Sequence, residues 1–300
     1  MQNQRDGEGQ CNGGFGELIQ GMLPGDRPFL VNLPLASISV ARVRIGGGSS
    51  GIPDDCRKSA AVVRSALAAV GKDSDFSLEI SSQLPIGKGL SSSTADMIAA
   101  VRAVEDALDQ RFEPDQIGRM LTDIEPNDGL HFSGTSAYLH TAGVLIERTD
   151  WIPPFAILGI DTGGEVDTLQ FNANRRVWTD EQLERFKVRL DELLDALRRR
   201  DLQAIGAVAT VSTRAWQAVY PKGHFDEITA LAEETGAVGI VNAHSGTYLG
   251  LLYMSEGEAA AAEQRAQAFV PNLETRRFRT LGLAGVDATA PFCRVHRSDG

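Results

Sequence analysis

The run Pro85-Ile86-Gly87-Lys88-Gly89-Leu90-Ser91-Ser92-Ser93-Thr94-Ala95-Asp96 holds the residue types that grip an anion. Gly87 and Gly89 let a backbone turn tightly and come close to a ligand. Behind them, Ser91 to Thr94 bring hydroxyls and backbone N–H groups to the start of a helical pattern: Met97, Ile98, Val101, Val104 and Leu108. First-turn N–H groups have no partner inside a helix, and the dipole there favours negative charge. A phosphate suits such an end, and Lys88 adds a cation. The same residues would also make an ordinary strand–turn–helix with redundant Ser caps. Residue chemistry alone leaves both open. The run is not a Walker A loop, because Gly89 follows Lys88 where Ser or Thr is required. Gly14-Phe15-Gly16 lacks the third glycine of a dinucleotide fingerprint.

The elements that position this run follow from periodicity. Phe76–Ser81 alternates as a strand before it, and Thr94–Leu108 is an amphipathic helix after it. Pro114–Ile124 reads as a short helix that stops before Pro126. Upstream, Phe29–Ala36 and Ser39–Ile45 read as strands and Asp54–Val70 as a helix, while the first ten residues look frayed. Gly46-Gly47-Gly48-Ser49-Ser50-Gly51 reads as a flexible turn. Ala137–Arg148 holds strand-like pieces and Phe155–Asp161 a buried strand. Helices over Thr179–Arg200, Leu202–Tyr220, Phe225–Thr235 and Gly257–Phe269 alternate with strands at Val238–Val241, Tyr248–Met254 and Glu274–Thr280. The mixture predicts an α+β protein. Pro153-Pro154 marks a boundary between a domain over 1–153 and one over 154–300.

Composition narrows the classes. Asp plus Glu is 40 against 29 Lys plus Arg, a net charge of −11, which argues against a nucleic-acid partner. An apolar fraction of 42% excludes an intrinsically disordered chain. No stretch is apolar enough to cross a membrane, and Met1–Gln10 lacks a signal-peptide core, so a cytoplasmic protein is expected. Cys11, Cys56 and Cys293 read as free thiols, and the five histidines show no zinc spacing. The 31 glycines exceed the usual share and need a reason.

The run resembles the second motif of the GHMP small-molecule kinase superfamily, P-x-x-x-G-L-G-S-S-A-A. Pro85, Gly89, Leu90, Ser92, Ser93 and Ala95 match it, with Ser91 where Gly is usual and Thr94 where Ala is usual. Three more segments resemble the L-threonine kinase branch, the propanediol-utilisation type that supplies cobalamin assembly. Gly13-Gly14-Phe15-Gly16-Glu17-Leu18-Ile19-Gln20-Gly21 is similar to its G-E-L-x-Q-G motif, with Phe15 where that branch has Cys. Ile124-Glu125-Pro126-Asn127-Asp128-Gly129 is similar to I-E-P-T-D, with Asn127 in place of Thr. Asp161-Thr162-Gly163-Gly164-Glu165-Val166-Asp167-Thr168 resembles D-x-G-G-x-V-D-T. Val241-Asn242-Ala243-His244-Ser245-Gly246-Thr247 stands where GHMP kinases carry a Gly-rich third motif.

The resemblance implies a two-domain α+β GHMP kinase fold. An N-terminal mixed α/β domain would meet a C-terminal ferredoxin-like domain at a cleft. ATP would lie on Pro85, Gly87, Lys88, Gly89, Leu90, Ser91, Ser92, Ser93 and Thr94. Ser92 and Ser93 would act in catalysis, and Ser93 with Glu125 would hold Mg²⁺, which needs few carboxylates beyond phosphate oxygens. Asp128, on a loop between Pro126 and Gly129, would orient or deprotonate the substrate hydroxyl, or else serve as an Asx-turn residue. Glu125 reads equally as a surface acid at a helix end. Glu17, Gln20, Asp161, Asp167, His244, Ser245 and Gly246 would bind the substrate, since an amino acid brings an ammonium and a carboxylate that each need partners. The implied activity is ATP-dependent phosphorylation of L-threonine, with no nucleic-acid or membrane partner and with monomer or homodimer left open. Alternatives are a kinase for another small alcohol, hydroxy amino acid or sugar, and a catalytically silent nucleotide sensor.

Overall fold

The computed structural model describes residues 4–46, 52–163 and 177–285. Two long strands, β1 (Arg5–Leu23) and β2 (Arg27–Ile45), form an antiparallel pair at its centre. Helix α1 (Arg57–Ala69), strand β3 (Phe76–Ser82), helices α2 (Ser92–Leu108) and α3 (Pro114–Thr122), and strands β4 (Thr135–Leu139) and β5 (Val144–Thr149) follow. Beyond Pro153-Pro154 come β6 (Ala156–Asp161), α4 (Asp180–Arg199), α5 (Leu202–Gln217), α6 (Phe225–Glu234), β7 (Gly239–Asn242), β8 (Tyr248–Tyr253), α7 (Glu256–Phe269) and β9 (Glu274–Arg279). One sheet runs β5-β4-β2-β1-β7-β8-β6-β9, with β3 also pairing on β2. The early and late strands join where Glu17 of β1 faces Asn242 of β7.

The N-terminus departs from the frayed segment that its polar residues suggest. From Arg5 onward it is ordered strand, and its charges are used across the ladder. Asp6 lies opposite Arg44 and pairs with it at 2.9 Å; Glu8 lies opposite Arg42 and pairs at 2.7 Å. Such cross-strand pairs add modestly to a sheet. The other face carries Gly7 and Gly9, directly beneath α2. A Cβ on Gly9 would strike the Ala99 carbonyl and the Ala103 amide, and one on Gly7 would lie 2.5 Å from the Ala107 amide. The two short strands expected over Phe29–Ala36 and Ser39–Ile45 are one continuous β2.

Helix α2 is buried all round rather than on one stripe. Met97, Ile98, Val101 and Val104 fill one side, and Ala99, Ala103 and Ala107 press on Gly7 and Gly9 of β1. Alanines look neutral in a periodicity reading, yet only small residues allow a helix axis this close to a strand. Arg102 and Glu105, the buried charges of α2, pair with each other at 2.7 Å, and Glu105 also accepts the Phe112 N–H. Helix α4 buries Phe186, Leu190, Leu193, Leu194 and Leu197, the stripe its spacing predicts, behind a Thr179–Gln182 capping box. Gly46 closes β2; residues 47–51 of the glycine run lie outside the described residues, as do Cys293 and His296. Cys11 and Cys56 are buried free thiols.

The Gly9 contact gives a direct test. Gly9→Ala forces a methyl into backbone and should cost roughly 1–3 kcal/mol, read as a lower urea midpoint at unchanged slope. Gly223, where an added methyl would meet nothing within 4 Å, serves as control; Gly223→Ala should stay within about 0.5 kcal/mol.

Candidate active site

Three segments far apart in sequence meet at the start of α2. Between β3 and α2 the loop turns through positive φ at Gly87, Gly89 and Ser91. Strand β1 is bulged opposite it, with register shifts between Asn12 and Ile19 and a positive φ at Gly16. Bulges re-aim side chains, and they gather beside active sites. The bulge is stitched to the loop by Gly14 N–H to the Leu90 carbonyl at 3.3 Å and Gly16 N–H to the Gly89 carbonyl at 3.1 Å. The β7–β8 turn closes from the other side, with the Thr247 N–H donating to the Lys88 carbonyl at 3.3 Å. A Cβ on Gly89 would lie 2.6 Å from the Ala243 Cβ, and one on Gly16 2.5 Å from the Ala243 Cα.

The helix end is not a Ser-capped turn. Ser91 occupies the cap position in a left-handed conformation, and no side chain caps the helix. Its hydroxyl turns to Asp128 instead. The first-turn amides of α2 therefore keep the unsatisfied character that attracts an anion. Leu90, fully buried, anchors the loop, and Lys88 reaches Asp161 Oδ2 at 2.8 Å. Burial alone would raise the Asp161 carboxyl, but hydrogen bonds from Lys88, Thr247 and the Gly163 N–H, with the Lys88 charge, hold it below its usual value.

Asp128 sits over the same helix end. Thr94 Oγ1 donates to its Oδ2 at 3.3 Å, and Asn32 Nδ2, from β2, donates to its carbonyl at 3.1 Å. The Asx turn belongs to its neighbour: Asn127 Oδ1 accepts the Gly129 N–H at 3.2 Å, while Asn127 Nδ2 holds Thr122. That leaves the Asp128 carboxylate unused by the local backbone. Its pKa is pushed up to about 7, chiefly by burial and then by the charge of Glu17. Hydrogen bonds from Ser91 and Thr94 oppose the rise, and Glu125 adds to it. Glu125, itself buried, accepts the Ser93 hydroxyl on one oxygen and the Lys58 ammonium on the other at 2.6 Å. Ser93 and Glu125 together offer hard oxygen donors at the phosphate loop, the kind that suits Mg²⁺ shared with phosphate oxygens.

Glu17, aimed by the bulge, accepts from His244 twice, from Nδ1 at 2.6 Å and from the backbone N–H at 3.3 Å. The Trp216 ring stands edge-on to His244, and its indole N–H donates to the Gln20 carbonyl at 2.9 Å. Gln20 is buried on β1; Ser245 and Gly246 lie in the β7–β8 turn. Asp167, with Glu165, lies outside the described residues, so of that acidic group only Asp161 is placed. The other candidates lie on this loop, bulge and turn, on the α3–β4 segment that carries Glu125 and Asp128, and at the end of β6 with Asp161; Gln20 lies past the bulge in the regular β1–β2 ladder.

Four residues that sequence reading passed over belong here. Asn32 fixes the Asp128 loop. Lys58 meets Glu125. Lys222 donates to the Ala243 carbonyl at 2.9 Å and to that of Gly246, pinning the turn; burial pulls its pKa down to about 8 against the charges of Glu17 and Asp161. His140 is buried at the end of β4 and held neutral, its pKa pulled to about 4 by burial. Each is a single residue in an ordinary strand, helix or loop, without a local pattern to flag it. Phe15, by contrast, is core: it packs edge-on to Tyr248 and Phe278, over the room left by Gly159 and Gly250.

The raised Asp128 carboxyl makes a stability prediction. The folded state holds that proton more tightly than the unfolded chain, so stability is lost as pH rises from about 4 to about 7. Asp128→Asn should therefore stabilise the protein at pH 8, by an amount of order 1 kcal/mol, and give little gain at pH 4. Urea unfolding at the two pH values checks this.

Known proteins place this arrangement. The model of the GHMP kinases N terminal domain matches residues 57–136, which hold the phosphate loop and Asp128, and that of the GHMP kinases C terminal domain matches 193–272, which hold the β7–β8 turn. The chain is 27% identical over 260 residues to the L-threonine kinase of Citrobacter freundii, covering 81% of this chain and 85% of that protein. It is 26% identical over 251 residues to the L-threonine kinase of Salmonella typhimurium, covering 81% of each. In three dimensions it superposes on a homoserine kinase from Cytophaga hutchinsonii with a TM-score of 0.76 at 14% identity, over 97% of this chain and 98% of that one. With both family models spanning more than half of the sequence, and the loop, bulge and turn folded together as one site, the chain belongs to the GHMP kinase family.

Proposed function

We propose that this GHMP-family kinase transfers the γ-phosphoryl group of ATP to the hydroxyl of L-threonine, giving O-phospho-L-threonine. Two relatives of that printed activity, each aligned over 81% of the chain, support the substrate. The observation that carries the chemistry is Asp128, hydrogen-bonded to Thr94 at the mouth of an uncapped helix end. A carboxylate with a pKa of about 7 suits removal of a hydroxyl proton near neutral pH.

The roles follow the geometry. Pro85 to Thr94 cradle the triphosphate, with the amides of Ser92, Ser93 and Thr94 neutralising charge that builds on the transferring group. Ser93 and Glu125 would hold Mg²⁺, which when bound supplies charge neutralisation between the phosphates. Glu17 and His244 face the substrate as one hydrogen-bonded unit, with Gln20 behind them and Ser245 and Gly246 in the turn. Asp161 acts through Lys88, fixing its ammonium beside the loop; Asp167 remains a proposed substrate residue. The division into domains over 1–153 and 154–300, a cytoplasmic setting and a place in cobalamin assembly belong to the same proposal. Among the described residues, no helix is long and apolar enough to cross a membrane.

ADP release by the purified chain over threonine, serine, homoserine and a few sugars tests the reading. Threonine should give the highest kcat/KM, roughly tenfold or more above serine for the one methyl group. Preference for homoserine or a sugar would move the assignment to another small alcohol, and nucleotide binding without turnover on any of them would make the chain a sensor. Asp128→Asn should lower kcat by about 10²–10⁴-fold. In the native chain kcat should rise with pH through about 7, as Asp128 loses its proton; a native-like pH profile in the variant would sink the base assignment.

A further inference from the structure

One cation near the site reaches away from its own helix. Helix α1 begins with Arg57 and Lys58, directly after the 3-10 turn Asp54–Cys56, whose two acids occupy the first turn of the helical segment. Arg57 is answered by Asp54 at 2.6 Å. Lys58 instead reaches off its own helix to Glu125, its half-exposed, flexible stem placing Nζ 2.6 Å from Oε2 of a buried carboxylate. The second oxygen of that carboxylate takes the Ser93 hydroxyl, in the first turn of α2. The Lys58 ammonium is thus linked through one carboxylate to the phosphate-binding end of α2.

Glu125 cannot serve a divalent cation and Lys58 at once without cost, because the two positive charges would then stand side by side. A triphosphate removes the conflict. The hard cation takes Glu125 together with phosphate oxygens, and the ammonium takes a phosphate oxygen as a point charge. We propose that Lys58 is a nucleotide-binding residue whose ammonium occupies Glu125 in the free protein and passes to the triphosphate when metal and nucleotide arrive. Metal and nucleotide then bind cooperatively, since each removes the partner that blocks the other. The proposal rests on Glu125 as the metal ligand, and its test separates the two.

Mn²⁺ binding, followed by the loss of the free-ion electron paramagnetic resonance signal, reads the metal alone. Calorimetry with a non-hydrolysable ATP analogue in EDTA reads the nucleotide alone. Lys58→Met should bind Mn²⁺ alone about tenfold more tightly and the metal-free nucleotide about tenfold more weakly. Lys58→Arg should keep nucleotide affinity within about threefold of the native chain. Glu125→Gln should lose metal binding while gaining affinity for the metal-free nucleotide, because Lys58 is released. If Glu125→Gln loses the metal but a folded Lys58→Met changes neither affinity, or weakens both, the metal reading stands and the role of Lys58 is overturned. If Glu125→Gln binds Mn²⁺ as the native chain does, the metal reading itself falls and takes this proposal with it.

Discussion

Everything at the site depends on three backbones lying closer together than any side chain would allow. The bulge of β1, the loop before α2 and the turn between β7 and β8 touch through Gly16, Gly89 and Gly246. At each of these a Cβ would collide with backbone or with Ala243. Hydrogen bonds then fix the approach: Gly16 to Gly89 from one side, Thr247 to Lys88 from the other. The approach also joins the two ends of the sequence. Glu17 and His244 can form a 2.6 Å pair only because β1 and β7 run side by side at that point. Lys222, held on the carbonyls of Ala243 and Gly246, keeps the turn from springing back.

The same close packing accounts for the glycine surplus in two separate ways. Some glycines serve the site as the motifs suggest. Others have nothing to do with a ligand: Gly7 and Gly9 let α2 lie on β1, Gly206 and Gly239 bring α5 against β7, and Gly159 and Gly250 make room for Phe15. The second group is what allows a helix and a strand to carry the first group into register. Glycine in a strand ordinarily weakens it, and its use where another backbone comes near is the exception that explains its presence.

How much of this was legible depends on whether a signal is local. The phosphate run was readable because its glycines, hydroxyls and following helix are contiguous, and nearly all the later helices and strands were readable from period alone. The N-terminal strand was not, since its polar residues pair with Arg42 and Arg44, more than thirty positions away, and its inward face is glycine rather than apolar. The full burial of α2 was hidden for the same reason, its second contact face being alanine. Lys58, Lys222, Asn32 and His140 were silent because a lone polar residue acquires meaning only from what folds against it. Asn127 is a further case. This departure from the family pattern gains its meaning from the fold, where its side-chain oxygen takes the Gly129 N–H and leaves the Asp128 carboxylate out of the turn.

The charges of the site explain why that freedom matters. Glu17 has His244, Glu125 has Lys58 and Asp161 has Lys88. Among the described residues, no Lys, Arg or His pairs with Asp128, which is held by hydroxyls and amides alone. A half-buried, desolvated carboxylate without a cation, close to another acid, keeps its proton more readily than usual, and that is the physical origin of its raised pKa. The arrangement costs stability in the free protein, as sites built for chemistry often do. It also resolves how a chain with a net charge of −11 can hold a polyanion. Over a few ångströms, helix amides and three lysines set the potential, whatever the total charge. Glu125 and Asp161 each meet one of those lysines, whereas Asp128 meets none.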